Sequence, residues 1–212
     1  MNRKKMSLII ACLVVISTEV LTLTLIPTHG RATTLYVGGI GPGNYTNIQD
    51  AVDDAHSGDT IYVYSGFYHE HVRVNKTLSL LGEDRDGTII SGDGIGDVVN
   101  VTADWANITG FTIEEGGLGW MDAEIKLYGV HNCTVSNTII SSSLAIGGSG
   151  ISLMLSNNNT ILDNGIPQNQ FGIFLHSSHG NTIVGNYMSR NYIGIHIYSS
   201  KGNFLADNVM TE

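Results

Sequence analysis

A regular repeat in the last third of the sequence, with a period of about 22 residues, constrains the fold more than any other feature. Gly150, Gly172 and Gly194 each open one unit, and asparagines follow at two fixed positions in every unit. The asparagines are Asn159, Asn181 and Asn203 at the first position and Asn164, Asn186 and Asn208 at the second. A period of about 20–50 residues, held here without a register shift, predicts an architecture of stacked repeats.

The residues between the asparagines select the type of repeat. Ile151, Ile173 and Ile195 begin short segments in which apolar and polar residues alternate, which is typical of strands. Helix-pair repeats would need longer units with a period of about 3.6 residues, and leucine-rich repeats a helical half, and neither pattern is present. We therefore predict an all-β fold, a single-stranded right-handed parallel β-helix. It would have about six or seven coils of about 22–28 residues, each adding about 4.8 Å of height.

Stacking also assigns a role to the asparagines. Residues one period apart would lie directly above one another, so their amides could bond to each other and to turn backbone at the strand spacing. We interpret all six as a structural ladder rather than as ligands.

The chain before the repeats predicts looser coils and a cap. Glu114 to Glu124 is glycine-rich and contains Trp120, which favours a loop that bulges from an early coil. Asn47 to Ala55 has an amphipathic pattern, and Thr46 and Gln49 have capping-box spacing, so a short helix should close the first coil. Met210 to Glu212 include no capping element, so we expect the C-terminal cap to be missing and the sequence to be a fragment.

The N-terminus predicts export. Residues 1–32 combine a basic start at Arg3 to Lys5 with an apolar run from Met6 to Ile26, and small residues follow. This pattern indicates a signal peptide or an uncleaved membrane anchor, which would be the only contact with a membrane. Residues 33–212 would form the β-helix, located in the periplasm, at the cell surface or outside the cell.

Charge and cysteine content exclude one class of partner and one kind of cross-link. The chain has a formal net charge of −9, and beyond residue 32 only six basic residues remain, so nucleic acid is excluded as a partner. Cys133 is the single cysteine in that part, which excludes an intramolecular disulfide. Sequons for N-glycosylation occur at Asn44, Asn75, Asn100, Asn107, Asn132 and Asn158.

Two stretches carry a family resemblance. Between Tyr45 and Gly82 the sequence contains an Ile-Gln-x-Ala helix, Gly-Asp-Thr, Gly-x-Tyr and a Lys-x-Leu-x-Leu-x-Gly strand. This stretch resembles the opening of pectin methylesterases and of many exported β-helix proteins. The repeats after Gly150 resemble archaeal and bacterial surface proteins with the NosD-type β-helix domain, named after a periplasmic protein implicated in copper-site assembly of nitrous-oxide reductase. The resemblance covers about residues 35–212 and implies the fold more strongly than an activity.

The resemblance to pectin-degrading enzymes implies catalytic residues that the sequence does not supply. A methylesterase would need paired aspartates with an arginine in the central coils, yet Arg190 is the only arginine after residue 85. A pectate lyase uses an arginine, and the central coils supply Asp122, Glu124 and Lys126 but no arginine. Inverting hydrolysis needs two carboxylates about 6.5–9.5 Å apart, but Asp163 and Asp207 would lie two coils apart. The chain therefore favours a non-enzymatic role, with a lyase, hydrolase or esterase whose catalytic coils lie beyond residue 212 as an alternative.

Histidines provide the candidates for a copper site. His69 and His71 would share one strand face, and His176 and His196 would point outward as diagonal neighbours about 8 Å apart at their Cβ atoms. Two imidazoles can bind copper, but the sequence places no third ligand beside them. No cofactor is required by the pattern, and copper is the one candidate metal. A NosD-like accessory that delivers copper is thus the alternative function.

Aromatic side chains on the outer faces suggest a glycan-binding surface. The candidates are Trp120, Tyr128, Phe174, Tyr192 and Tyr198, although aromatic residues are also favoured on strands without any ligand. Our leading hypothesis is an exported, non-catalytic β-helix scaffold that contacts glycans or other surface proteins.

Overall fold

In the part of the chain that the structure describes, parallel strands wind into a β-helix of about seven turns with a single short helix. The structure, a computed structural model, describes residues 32–141 and 148–212. The predicted signal or anchor segment lies outside the described residues, apart from Ala32. Among the described residues, no helix is long and apolar enough to cross a bilayer.

The strands, numbered in chain order, stack into sheets that form the faces of the β-helix. The eight-stranded sheet contains β1 (Thr34–Val37), β2 (Thr60–Val63), β5 (Ser79–Gly82), β8 (Asn107–Thr109), β11 (Thr134–Ser136), β14 (Thr160–Leu162), β16 (Thr182–Val184) and β19 (Phe204–Ala206). The six-stranded sheet contains β4 (Val72–Val74), β7 (Val99–Val101), β10 (Ala123–Tyr128), β13 (Ser149–Met154), β15 (Phe171–His176) and β18 (Ile193–Tyr198). The four-stranded sheet contains β3 (Gly66–His69), β6 (Thr88–Ser91), β9 (Thr112–Glu114) and β12 (Ile139–Ser141), and β17 (Tyr187–Ser189) pairs with β20 (Val209–Thr211).

The register matches the predicted period where the repeat is regular. Ile151 pairs with Ile173 and Ile173 with Ile195, so each step in the last coils equals the repeat period. Ser79 pairs with Asn107, a longer step at the upper limit of the predicted coil length. Thr60 pairs with Ser79, and this shorter step falls below the predicted lower limit.

Aliphatic columns fill the interior. In the eight-stranded sheet, the column Ile61, Leu80, Ile108, Val135, Ile161 and Ile183 is at most 1% exposed. Burying each such side chain contributes about 1.5–3 kcal/mol. Because each coil presents its column to the next, this core is continuous from the first coil to Ile183, whereas Leu205 in the last coil is 40% exposed.

The asparagines form hydrogen-bonded ladders at the corners. Asn181 Oδ1 accepts hydrogen bonds from the backbone N–H of Asn159 at 2.8 Å and from the Nδ2 of Asn159 at 3.1 Å. Asn203 Oδ1 accepts the two corresponding bonds from Asn181. Asn164, Asn186 and Asn208 repeat this pattern at the second position. A further rung joins Asn169 to Asn191, and a serine ladder joins Ser156, Ser178 and Ser200. These last two sets of bonds also join residues one period apart, and the repeat pattern alone did not predict them.

The N-terminal helix α1 (Ile48–Asp54) packs its buried face, with Ile48, Ala51 and Val52, against the first coils. The predicted capping box is wrong. Asn47 is the N-cap and makes no capping bond with its side chain. Instead, the Glu70 carboxylate, which follows β3, accepts the N–H groups of Ile48 and Gln49 at 2.8 and 2.9 Å. A tertiary partner thus replaces the local cap that the spacing suggested.

Candidate functional site

A groove lies on the outer face of the six-stranded sheet. Its volume is about 430 Å³. We call it the aromatic groove, and it is lined by Trp120, Gln170, Phe171, Phe174, His176, His196 and Tyr198. Trp120 reaches the groove from the predicted loop between β9 and β10, while the other residues come from β15, β18 and the residue before β15.

The strand pattern explains most of the lining. Ile173 and Leu175 face the core, so Phe174 and His176 lie on the outer face between and after them. Phe171 also lies on that face, where its ring stacks on Phe174 with centroids 5.5 Å apart. Two positions, Gly172 and Ile173, therefore lie between the outward residues Phe171 and Phe174. Strict alternation would place only one position between them, so it does not predict that Phe171 faces outward.

Glycine makes this irregularity compatible with close coil packing. A Cβ atom at Gly172 would lie 2.5 Å from the carbonyl oxygen of Gly194 on the next coil. Gly150 has the same relation to Gly172, at 2.8 Å. At Gly150 and Gly172, glycine is thus required by close backbone approach and not by a left-handed turn.

The aromatic rings of the groove contact one another. Phe174 lies 5.3 Å from the ring of His196 and 6.2 Å from the ring of His176. Phe171 is 5.0 Å from His196, and Tyr198 is 5.3 Å from His176. These neighbours leave Phe174 only 6% exposed. The prediction that Phe174 is exposed is therefore wrong, because its ring forms part of the groove floor; its role as a glycan contact stays a prediction.

The other four predicted aromatic contacts are exposed, but only two of them line the groove. Trp120 and Tyr198 are 66% and 59% exposed and line the groove. Tyr128 occupies the row of Met154, His176 and Tyr198 on the outer face, two strands from His176, and is not in the lining. Tyr192, just before β18, is exposed and also lies outside the lining.

The first histidine pair, His69 and His71, is not arranged as predicted. β3 ends at His69 and β4 begins at Val72, so the predicted shared strand face for His69 and His71 is wrong. Both ring nitrogens of His71 are occupied, Nδ1 by the Asp97 carbonyl at 2.7 Å and Nε2 by the Asp93 carboxylate at 3.0 Å. These acceptors, the Asp97 carbonyl first, raise the pKa of His71. A histidine with both nitrogens bonded offers no lone pair to copper.

The second histidine pair supplies two imidazoles and no further ligand. The Nδ1 atoms of His176 and His196 are buried and have no hydrogen-bond partner among the described residues. The ring of Phe174 contacts both imidazoles. Within residues 32–141 and 148–212, no group of three His, Cys, Asp or Glu side chains could hold a metal ion. These residues therefore do not by themselves complete a copper site.

A charged cluster lies on the neighbouring strands, away from the groove lining. Lys126 forms an ion pair with Asp97 at 2.7 Å, with both side chains 13% exposed. Burial raises the pKa of the Glu124 carboxyl to about 8, and its Oε2 atom has no partner within the described residues.

Asp163 and Asp207, considered above for hydrolysis, are exposed, each at a corner with φ of 54°.

The sequons differ in their accessibility. Asn75 and Asn158 are exposed, so they are the sequons that a glycan could occupy without rearrangement. Asn44 donates its amide to the Gly38 carbonyl and Asn100 donates to the Asp97 carboxylate. Asn107 and Asn132 are half-buried. Occupancy of any sequon remains a prediction.

Comparison with known proteins assigns the family. A family model described as periplasmic copper-binding protein (NosD) matches residues 52–212. The chain belongs to the NosD family. The match spans most of the chain and includes every residue of the aromatic groove. A search of curated proteins finds no match.

Solved structures confirm the fold. A pectin methylesterase mutant in complex with a hexasaccharide is 14% identical, with a TM-score of 0.63. An alginate lyase from Paenibacillus sp. str. FPU-7 is 18% identical, with a TM-score of 0.60. Both comparisons cover 84% of this NosD-family chain and 66% of the other chain, so this chain spans just under two thirds of those proteins. A pectin methylesterase from Aspergillus niger is 15% identical, with a TM-score of 0.53, over 84% of this chain and 85% of that one. At these identities the similarity establishes the pectin lyase-like, right-handed β-helix and not an activity.

Proposed function

We propose that this NosD-family chain is an exported, non-catalytic β-helix protein that binds a polysaccharide segment in the aromatic groove. The observation that carries the proposal is the convergence of Trp120, Phe171 and Tyr198 on one concave surface. Export is supported by the periplasmic description of the family and by the basic and apolar N-terminal sequence.

The composition of the groove suits a sugar chain. Binding sites are typically concave and mostly apolar, with a few polar groups that fix orientation. The C–H faces of sugar rings are apolar and can stack on the exposed rings of Trp120 and Tyr198, while the Gln170 amide can bond to hydroxyl groups. The Paenibacillus alginate lyase and the pectin methylesterases named above carry β-helices of the same kind.

A non-catalytic role is supported by the lining itself. Among the described residues, no carboxylate lines the groove, whereas hydrolysis would need two. The buried carboxyl of Glu124 belongs to β10 and is not part of the lining.

A matched pair of tryptophan variants tests the proposal. Trp120 and Trp105 are exposed to nearly the same extent, 66% and 65%, but Trp105 lies outside the groove. On an array of plant, algal and bacterial polysaccharides, Trp120→Ala should weaken binding about tenfold because one stacking ring is lost. Trp105→Ala should leave binding unchanged. Absence of any bound polysaccharide, or an equal loss in both variants, would refute the proposal.

A second candidate function is copper delivery, which the family match favours. Copper would then be cargo, and His176 and His196 are the side chains with unengaged Nδ1 atoms that could contribute to its binding. Calorimetric titration with Cu(I) under reducing conditions separates the two candidate functions. Micromolar or tighter binding that disappears in the His176→Ala/His196→Ala double variant would support copper delivery, and no heat above buffer would exclude it for this chain.

A further inference from the structure

A second cavity lies at the corner that follows β15 and β18. Its volume is about 470 Å³. We call it the donor pocket, and its lining consists of Ser177, His179, Ser199, Ser200 and Lys201. Within the described part of the chain, the lining includes a lysine and a histidine but no carboxylate.

Hydrogen bonds fix the histidine of the donor pocket as a donor. The backbone N–H of Lys201 donates to His179 Nδ1 at 3.0 Å. A neutral imidazole that accepts at Nδ1 carries its proton on Nε2. His179 can therefore offer an N–H group to a ligand without losing its bond to the backbone.

The remaining groups add positive charge and hydroxyls. The Lys201 side chain is exposed and forms no ion pair among the described residues. Ser177 and Ser199 occupy equivalent corner positions with φ of 50° and 51°. Ser200 is committed to the fold, since its hydroxyl donates to the Tyr198 carbonyl and accepts from Ser178. An ammonium group, an imidazole N–H and two hydroxyls favour an oxyanion as ligand.

The preceding coil does not repeat this donor set. One period before Ser177 and His179, the corner has Leu155 and Asn157, and neither is charged. Lys201 is also one of only six basic residues beyond residue 32 in an acidic chain. The positive charge at this corner is therefore a local feature and not part of the repeat.

The donor pocket begins where two strands of the aromatic groove end. Ser177 follows His176 and Ser199 follows Tyr198, so lining residues of the two cavities are neighbours in sequence at the ends of β15 and β18. From Phe171 to Ser177 the path is about 20 Å at about 3.3 Å per residue. A short oligosaccharide could occupy both cavities at once.

We propose that the donor pocket binds the carboxylate or sulfate of an acidic glycan whose neighbouring ring stacks in the aromatic groove. This inference rests on the proposed function and specifies its ligand class. Binding involves no covalent step, and Lys201 and His179 supply charge-assisted and neutral hydrogen bonds to the oxyanion.

The test pairs a charged ligand with its neutral methyl ester. Calorimetry at low salt compares an oligogalacturonate with its fully methyl-esterified, neutral form, and a sulfated galactan oligosaccharide distinguishes sulfate from carboxylate recognition. Lys201→Gln should weaken binding of the charged ligand about three- to tenfold and leave the neutral ligand unchanged. Arg190→Gln, which removes one exposed charge from a different corner, is the matched control.

The outcomes separate this inference from the proposed function. If charged and neutral ligands bind equally, and Trp120→Ala weakens both while Lys201→Gln weakens neither, the groove binds glycans and the donor pocket is not an anion site. If none of these ligands binds, the donor pocket is not an anion site, and the polysaccharide array with Trp120→Ala and Trp105→Ala then decides the proposed function separately. An equal loss in Lys201→Gln and Arg190→Gln would indicate general electrostatics and would also overturn the donor pocket.

Discussion

Truncation of one ladder asparagine, Asn181→Ala, should destabilise the β-helix more than any surface change. The Asn181 side chain is fully buried and makes four hydrogen bonds. Two of its partners keep another bond after truncation, because Asn159 Nδ2 still donates to Val130 and Asn203 Oδ1 still accepts from the Asn181 backbone. The Asn159 N–H and the Ser156 carbonyl lose the bonds that Asn181 provides.

The magnitude follows from those two backbone groups. Leaving a buried donor or acceptor unsatisfied costs about 1–3 kcal/mol each. We therefore expect Asn181→Ala to lower the free energy of unfolding by about 4 kcal/mol. The control is Asn75→Ala at the exposed position directly after β4, where a surface substitution should change stability by about 0.5 kcal/mol or less.

The assay is urea denaturation followed by circular dichroism, with amide hydrogen exchange as a second readout. Exchange is needed because stacked repeats can open locally next to a weakened rung without unfolding as a whole. In that case Asn159 and its neighbours should lose protection first. A difference of less than about 1 kcal/mol between the two variants, with unchanged exchange at Asn159, would refute the structural role of the ladder.

Two further perturbations test the interior. Because the folded-state pKa of Glu124 lies near 8, above the ordinary value of 4.5, the folded state retains a proton that the unfolded state releases. The free energy of unfolding should therefore fall as pH rises from about 4.5 to about 8. In urea melts at pH 5 and pH 8, Glu124→Gln should show a smaller difference between the two pH values than the unchanged protein. An equal difference in both proteins would contradict a raised pKa for Glu124. Gly172→Ala should lower the melting temperature because its Cβ would lie 2.5 Å from the Gly194 carbonyl oxygen. Gly165→Ala is the control and should be tolerated, because the nearest atom to its Cβ is 3.9 Å away and φ is not left-handed. If both variants melted at the same temperature, the coils could separate at Gly172 without cost.

The architecture was predictable because the repeat encodes it redundantly. Its constant period places Ile151, Ile173 and Ile195 above one another only if each unit forms one coil, and the structure pairs them in that register. The amphipathic pattern of Asn47 to Ala55 likewise predicted helix α1, which spans Ile48–Asp54. Local pattern fails at the start of that helix, because Glu70 provides the cap from a separate strand end.

The candidate site was predicted only in part, since its members are brought together by irregular features. Trp120, His176, His196 and Tyr198 could be named from residue type and outward alternation. Phe171 could not, because alternation breaks at Gly172, and Phe174 was expected to be exposed although its neighbours bury it. His71 illustrates the same limit, since its two hydrogen-bond partners come from a loop of the next coil.

The sequence by itself determined the coil, its period and the residues that stack in its interior and corners. Those properties repeat, so each unit supplies the same physical constraint: apolar columns must be buried, and corner backbone groups must find an amide or hydroxyl partner. The tertiary structure alone decided which side chains share a cavity. The groove joins a loop before β10 to β15 and β18, which lie two and three places further along the six-stranded sheet. The donor pocket depends on a backbone N–H that orients His179. Neither arrangement repeats along the chain, so no period in the sequence could encode it.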